Sequence, residues 1–298
     1  MKSTASTTPA EISIRPRNQQ FELGDILAKD WYDNDPFVTA FYNSMSMTFP
    51  LGEKFFIDTV RAFADEIDDP KLKKEIGGFC GQEGMHRREH QRYNELLCNT
   101  RGYDLERLEA ANKKRIAYGW KNFSEPELLS STTAAEHITA IFADTLLRHE
   151  HLLAGADPGI KALWTWHFSE EVEHKAVAFD VYTAVQGTRR QRILAMLQVT
   201  MTLSKDVLSG VVHMLKRDGQ LWNFKVWKNG LKYLFGKQGL LRLMWPSYKD
   251  FFRRGFHPWA HDNREMLSER QETMQAAANS GSLFEVQEIG RASCRERV

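Results

Sequence analysis

Two Glu-x-x-His motifs are the strongest chemical signal in the sequence. They lie at Glu83–His86 and at Glu171–His174. Residues three apart on a helix share one face, so each motif presents a carboxylate and an imidazole together. This pairing is a ligand arrangement for two iron or manganese ions inside a four-helix bundle.

Two further glutamates complete the pattern in chain order. One glutamate precedes each motif, and bundle sites of this kind take one glutamate from each of two helices besides the two Glu-x-x-His motifs. We therefore predict a di-metal site with six ligands: Glu53, Glu83, His86, Glu136, Glu171 and His174. The alternative is that these residues form the solvated charged face of an ordinary bundle.

The spacing of these glutamates around two turn signals favours the metal site. Residues on an antiparallel helical hairpin meet only if they are equally far from its turn. The midpoint of Glu53 and Glu83 is residue 68, inside an Asp-Asp-Pro string, and the midpoint of Glu136 and Glu171 falls at the edge of an AGADPG string. Each carboxylate then lies on the order of 22 Å from its turn, at 1.5 Å per residue. We expect all four to meet at one depth.

Each motif helix carries an additional histidine on the motif face. His90 lies seven residues after Glu83, and His167 lies four residues before Glu171. They are candidates for extra ligands or for partners that orient a carboxylate, and the alternative is an ordinary capped or surface histidine. The adjacent Glu170 and Glu173 are at the wrong helical angle for the centre and are expected to face solvent or form salt bridges.

The elements that must position these residues are helices. Apolar residues recur every three or four positions, and no sustained period-two alternation occurs. We predict two helical hairpins, with a long charged crossover between them at about 103–128 and a fourth helix at about 160–185. The predicted fold is all-α, a ferritin-like four-helix bundle over 21–188 with a long crossover and additional C-terminal helices.

The segment at 189–262 is predicted to be a basic, aromatic helical extension. Residues 189–261 contain 14 lysines and arginines against three acidic residues, interleaved with tryptophan, tyrosine and phenylalanine. This composition suits either helices that pack over the bundle or peripheral contact with a membrane surface. The stretch 193–215 has Lys205 and Asp206 at its middle, so we expect a buried helix there and not a span. No nucleic-acid partner is expected, because no binding motif accompanies the charge.

The two ends of the sequence are expected to lie outside the folded part. Residues 1–20 are predicted to be a disordered leader and 263–298 a tail, of which 288–298 resembles the translation of a sequencing adapter and is expected to be non-native.

Three cysteines without a C-x-x-C spacing argue against a disulfide framework and a thiolate zinc site. The predicted location is the cytoplasm, with peripheral contact to the inner membrane as the alternative.

Five strings of this sequence resemble the predicted metal-dependent hydrolase family of bacteria. They are FPLGEKFF at 49–56, GQEGMHRREHQRYN at 81–94, AAEHITA at 134–140, WHFSEEVEHKAVAFDVY at 166–182 and FHPW at 256–259. The resemblance covers about 40–262. It implies a hydrolytic activity that depends on metal, and the family is related in pattern to ferritin-like di-iron proteins.

Three functions remain open from the sequence. The main hypothesis is an O₂-dependent oxidoreductase with two iron ions, acting on a small or lipid-like organic substrate. Four carboxylates and two imidazoles suit iron or manganese better than zinc. The alternatives are a hydrolase that uses a metal-bridged water, and a non-catalytic metal-binding or membrane-surface protein. The sequence does not indicate the oligomeric state.

Overall fold

Asp-Pro pairs begin three of the bundle helices. Asp35, Asp69 and Asp157 each accept hydrogen bonds from backbone N–H groups of the following turn, and the proline after each occupies the first helical position. An aspartate cap satisfies N–H groups that have no partner within the helix, and proline already has the required φ. These pairs fix where three of the four helices that carry the predicted ligands start.

The computed structural model describes residues 5–269, and within this range it is all-α with no strand, as predicted. The helices are α1 (Pro36–Arg61), α2 (Pro70–Arg101), α3 (Leu105–Asn122), α4 (Glu125–Arg148), α5 (Pro158–His174), α6 (Val177–Ala184), α7 (Arg189–Arg217), α8 (Phe224–Phe235) and α9 (Leu240–Asp250). None of these helices is both long and apolar enough to cross a membrane.

Four of these helices form the layer that surrounds the predicted site. Helix α1 packs along α2, and α4 packs along α5; α1 also contacts α4, and α2 contacts α5. Helix α3 connects the two pairs and takes the place of the predicted charged crossover. The two hairpins therefore pack with their ligand-bearing helices against one another.

The fourth predicted helix is interrupted. The structure has α5 ending at His174 and α6 beginning at Val177, whereas the periodicity predicts one helix over 160–185. At the break, the buried Lys175 donates a hydrogen bond from Nζ to the backbone oxygen of His261, 2.6 Å away. Lys175 is thus turned towards the C-terminal segment, directly after the second motif.

Helices α7, α8 and α9 pack on the bundle, and α7 lies across α1 and α4. At the crossing with α1, a Cβ atom on Gly210 would lie 2.0 Å from Ser44 Oγ, so only glycine permits this approach. The prediction that 193–215 is buried is wrong for one face, because the bundle covers only the opposite side of α7. The exposed apolar residues of that face are Leu194, Leu197, Met201 and Leu208.

The prediction of a disordered leader at 1–20 is also corrected. Residues 5–20 lie against the bundle, and Ile14 packs so closely on α2 that a Cβ on Gly78 would lie 2.4 Å from Ile14 O. Arg17 forms ion pairs with buried carboxylates of α5, which anchors the segment. In the predicted tail, Leu267 is buried. Residues 1–4 and 270–298, including the 288–298 string, lie outside the described range.

Candidate metal centre

The six predicted ligands meet in one buried cluster. Helices α1 and α4 contribute one glutamate each, and α2 and α5 contribute one Glu-x-x-His motif each. All six side chains are 3% exposed or less: Glu53, Glu83, His86, Glu136, Glu171 and His174. The equal-depth spacing read from the sequence therefore corresponds to proximity in the fold.

The cluster divides into two groups of atoms that could each hold an ion. Within each group, one ligand-type atom per residue lies within 4.8 Å of the others. One group is Glu83, Glu136, Glu171 and His174, and the other is Glu53, His86 and His167. Two adjacent groups of oxygen and nitrogen donors are the arrangement required for a two-ion site.

Glu171 connects the two groups. Its Oε1 atom lies 3.6 Å from His174 Nε2 in one group. The same oxygen lies 3.5 Å from His86 Nδ1 and 3.0 Å from His167 Nε2 in the other. Glu171 is therefore placed where a carboxylate would bridge two ions.

Glu136 points into the cluster although no second ligand accompanies it in the sequence. Its Oε2 atom lies 3.5 Å from His174 Nε2, and Glu83 Oε1 lies 3.1 Å from the same nitrogen. Three helices thus direct donors at one point.

Many of these atoms are buried without a hydrogen-bond partner. Both carboxylate oxygens of Glu53, Glu83 and Glu136 are in this state, and so is His174 Nε2. Buried polar groups in folded proteins are nearly always paired, because an unpaired one costs about 1–3 kcal/mol. Glu83 Oε1 and His174 Nε2 are close enough for an ion pair but are not aligned for a hydrogen bond. Buried carboxylates that face one another from different helices without hydrogen-bond partners fit a bound cation.

The carboxylates repel each other in the absence of a cation. Burial raises the pKa of Glu53 and of Glu136 well above the usual range, and the nearby Glu83 raises both further. Burial also raises the pKa of Glu83 itself. A divalent cation would remove this penalty by compensating the negative charge.

The pKa of the motif histidine His86 is also raised, and for a histidine this favours the charged form. Burial on its own lowers the pKa of His86, but the facing Glu170 and Glu171 outweigh burial and raise that pKa to about 10. Burial favours neutral Glu171, but His174, His167 and His86 outweigh it and hold the pKa of Glu171 well below its usual range. In the metal-free chain, protonated imidazoles therefore carry the positive charge that a metal ion would otherwise supply.

Each motif histidine is held by a partner on its far side. His174 Nδ1 is hydrogen-bonded to Gln82 Oε1 at 2.9 Å, which leaves Nε2 facing the carboxylates. His86 Nε2 lies 3.1 Å from Glu170 Oε2, which leaves Nδ1 facing Glu171. Such contacts fix the ring orientation and the tautomer of a metal-binding histidine.

Arg17 joins these two supports from outside the bundle. It lies 3.0 Å from Glu170 Oε1 through Nη1 and contacts Glu173 through both Nη atoms. Glu173 Oε2 in turn accepts a hydrogen bond from Gln82 Nε2 at 2.8 Å. One guanidinium is therefore connected through carboxylates to both motif histidines, His86 and His174.

The supporting residues differ from the sequence interpretation. The salt-bridging role expected of Glu170 and Glu173 is present, but both side chains are buried and neither faces solvent. Gln82 and Arg17 were not predicted. Gln82 directly precedes Glu83 in the first motif, which is a signal that could have drawn attention to it; no local pattern marks Arg17.

The two additional histidines have different positions. His167 belongs to the group with Glu53 and His86, whereas His90 reaches the cluster only through His167, with 2.7 Å between His90 Nε2 and His167 Nδ1. On its other side, His90 Nδ1 is 2.8 Å from Ser46 Oγ. The geometry thus makes His167 a candidate ligand and His90 its orienting partner.

Aromatic rings enclose the cluster and separate it from water. The centroid of Phe79 lies 5.0 Å from that of His174, and Trp166 lies 4.9 Å from His86. Phe49 lies 4.9 Å from His167. An apolar surround strengthens electrostatic interactions inside it.

The fold and the cluster together define an all-α protein with a buried centre of glutamates and histidines. Residues 15–262 match the model of a family described as "Predicted metal-dependent hydrolase", and the chain belongs to this family. None of the curated proteins and none of the solved structures compared with the chain matches it. The family assignment agrees with the resemblance read from the motifs.

Proposed function

We propose that this protein is a metal-dependent hydrolase whose glutamate and histidine cluster holds two metal ions. The observation that carries the proposal is the set of buried, unpaired carboxylate and imidazole atoms facing one another from four helices. The family assignment supports hydrolysis over the O₂-dependent oxidation that the ligand pattern alone suggests. The description of the family gives no substrate.

Each part of the cluster has a role in this proposal. Divalent ions at such a centre lower the pKa of water and polarise a substrate carbonyl. Glu83, Glu136 and His174 would hold one ion, and Glu53 and His86 would hold the other. Glu171 would complete the first set and His167 the second. The supporting contacts hold the imidazoles in place before metal binds, and the aromatic rings restrict access of bulk water.

A second candidate function is an oxidoreductase that uses O₂. It is favoured by the donor set, since four buried glutamates and two Glu-x-x-His histidines suit iron or manganese better than zinc. A non-catalytic metal-binding role is the third possibility carried over from the sequence. The metal content and the reaction with O₂ separate these candidates.

We expect the 298-residue chain to bind two equivalents of metal and to hydrolyse a carboxylic ester, an amide or a phosphate ester from a test panel. The chain is stripped of metal, reloaded with Mn²⁺, Zn²⁺ or anaerobic Fe²⁺, and analysed for metal content, hydrolysis and O₂ uptake. Glu171→Gln should lower metal affinity at least about tenfold, because Glu171 faces both groups. Glu106→Gln, an exposed glutamate of α3, is the matched control.

The outcomes distinguish the candidates. Stoichiometric O₂ uptake by the iron-loaded chain without hydrolysis of any panel member would replace the hydrolase proposal with the oxidoreductase. Failure to retain metal in any form, with Glu171→Gln indistinguishable from the parent chain, would remove both.

We also propose that helix α8 rests on an anionic membrane surface. Trp222 is 92% exposed and Phe224 is 80% exposed, and Leu231 and Phe235 lie further along the same exposed face. Exposed lysines flank them at Lys225, Lys228 and Lys232. Apolar and aromatic side chains bordered by cations are typical of a helix that lies in a lipid interface.

We expect the full chain to sediment with anionic vesicles more than with neutral ones, and less at high salt than at low salt. Converting Lys225, Lys228 and Lys232 to glutamine should abolish the difference between the lipids. The same change at Lys73, Lys74 and Lys121, which are exposed on α2 and α3, is the charge-matched control. Equal sedimentation with both lipids, or equal loss in both triple variants, would contradict a specific α8 surface.

A further inference from the structure

A cavity of about 200 Å³ lies between α1, α3, α4 and α7. Its walls include Phe55, Phe56, Ile116 and Leu128, together with other aromatic and aliphatic side chains. From the C-terminal third, residues 189–262, only α7 contributes to the described wall, and α8 and α9 do not.

The cavity adjoins the metal centre on two sides. On α1, Gly52 and Phe56 line it, and they lie one residue before and three residues after Glu53. On α4, Ala135 and Thr139 line it, with the same spacing around Glu136. Phe56 and Thr139 lie three residues after Glu53 and Glu136, on the neighbouring turn of the same helix. Phe49 also lines the cavity, and its ring centroid lies 4.9 Å from that of His167, a candidate ligand. A molecule in the cavity therefore lies beside the centre, against Phe49.

The charged residues of the cavity wall neutralise each other. Arg115 Nη1 lies 3.3 Å from Asp206 Oδ1, and Nη2 contacts the other oxygen of the same carboxylate. Among the described residues that line the cavity, Arg115 is the only lysine or arginine. The wall therefore offers no unpaired cation to a phosphate group, and its remaining surface is mainly apolar.

The outer end of the cavity is apolar as well. Tyr118 is 60% exposed and Phe123 is 40% exposed, and both belong to the wall. Trp120, which packs edge-to-face on Phe55 with 5.8 Å between ring centroids, is 41% exposed. Aromatic residues at an opening favour the entry of a poorly soluble molecule over that of a strongly hydrated ion.

We infer that this cavity binds the hydrocarbon part of an uncharged carboxylic ester, an inference that rests on the proposed hydrolase function for its reaction. A cavity of about 150 Å³ is enough for benzene, so this one takes a single ring or a short alkyl chain. Hydrolysis adds water across the acyl C–O bond and releases a carboxylic acid and an alcohol. A phosphate group inside the cavity itself would meet no unpaired cation among the described wall residues.

Binding to the metal-free full chain tests the cavity without requiring catalysis. Hexan-1-ol, a neutral alcohol with a short chain, is titrated calorimetrically beside hexyl phosphate. Gly52→Leu fills the cavity from α1, and its Cβ meets only Phe56 at an ordinary 3.6 Å. Ala135→Leu fills it from α4 and serves as a second variant. Gly77→Leu is the matched control, because a Cβ there meets nothing within 4 Å.

We expect hexan-1-ol to bind and hexyl phosphate to bind at least about tenfold more weakly. Each filling variant should weaken hexan-1-ol about tenfold or more, since it removes the space for two or three methylene groups, and Gly77→Leu should leave binding unchanged. Equal binding of the two ligands, or unchanged binding in both folded filling variants, would overturn the inference. Absence of ester hydrolysis with normal hexan-1-ol binding would instead count against the proposed function alone.

Discussion

Replacing Glu53 with leucine is expected to stabilise the metal-free protein and to weaken metal binding. Both carboxylate oxygens of Glu53 are buried without a partner, and burial together with Glu83 raises the pKa of this carboxyl well above its usual range. An unpaired buried polar group costs about 1–3 kcal/mol, and leucine removes that cost at similar size. If Glu53 is a metal ligand, its replacement therefore raises the stability of the metal-free protein. If Glu53 is instead a structural carboxylate, its replacement lowers that stability.

The measurement compares thermal unfolding with and without metal. For the metal-free variant we expect the Tm to rise by roughly 2–4 °C per kcal/mol gained. With metal, the parent chain should gain stability in proportion to its affinity, and the variant should gain much less. The loss of affinity should exceed the roughly 10–100-fold that is typical for residues that only orient a ligand. A chelating indicator provides the affinity independently of unfolding.

Glu106→Leu provides the control, because Glu106 is exposed on α3 and the same change there removes no buried polar group. It should alter neither the metal-free Tm nor the affinity appreciably. A lower Tm of metal-free Glu53→Leu together with unchanged metal affinity would identify Glu53 as a structural carboxylate. The two-ion interpretation of its group would then fail.

The positions of the six predicted ligands could be read from the sequence because helix geometry is regular. A constant rise per residue makes equal distance from a turn equivalent to equal depth in a hairpin. The Asp-Pro pairs and the AGADPG string mark the turns locally, and so Glu53 and Glu83 could be paired without knowledge of the rest of the fold.

The supports of the site could not be predicted in the same way. Arg17 and Glu170 are separated by 153 residues, and no periodic pattern connects an irregular N-terminal segment to a helix. The polar composition of residues 1–20 predicts disorder, but contacts with α2 and α5 override that local tendency. The break at Lys175 was missed for a similar reason, since its contact with His261 depends on a distant segment.

No sequence motif indicates the cavity either. Gly52 and Ala135 are small residues whose significance appears only when α3 and α7 close the space beside them. The C-terminal third is basic, but the only cation on the described wall comes from α3 and is paired with Asp206. Packing therefore determines which part of the chain lines the cavity.

Replacing Arg17 with alanine is expected to lower metal affinity about 10–100-fold, although Arg17 touches no predicted ligand. Its guanidinium holds Glu170, which faces His86. It also holds Glu173, which accepts a hydrogen bond from the Gln82 side-chain amide, and the oxygen of that amide orients His174. Without Arg17, Glu170 and Glu173 lose the guanidinium that holds them, and the supports of both histidines are expected to loosen. Arg17 is in this sense a positioning residue for both Glu-x-x-His motifs.

Arg17→Lys and Arg264→Ala separate positioning from simple anchoring of the N-terminal segment. Lysine restores the charge but cannot bond both carboxylates with a planar fork, so we expect only partial recovery of affinity. Arg264 pairs with Glu11 at 3.2 Å, far along the chain from Arg17's partners, and its loss should leave affinity unchanged. Affinity is measured by indicator competition at a temperature where circular dichroism shows every variant folded. If Arg17→Ala lowers only the Tm, and the folded protein binds metal as tightly as the parent chain, Arg17 anchors the segment and does not position the ligands.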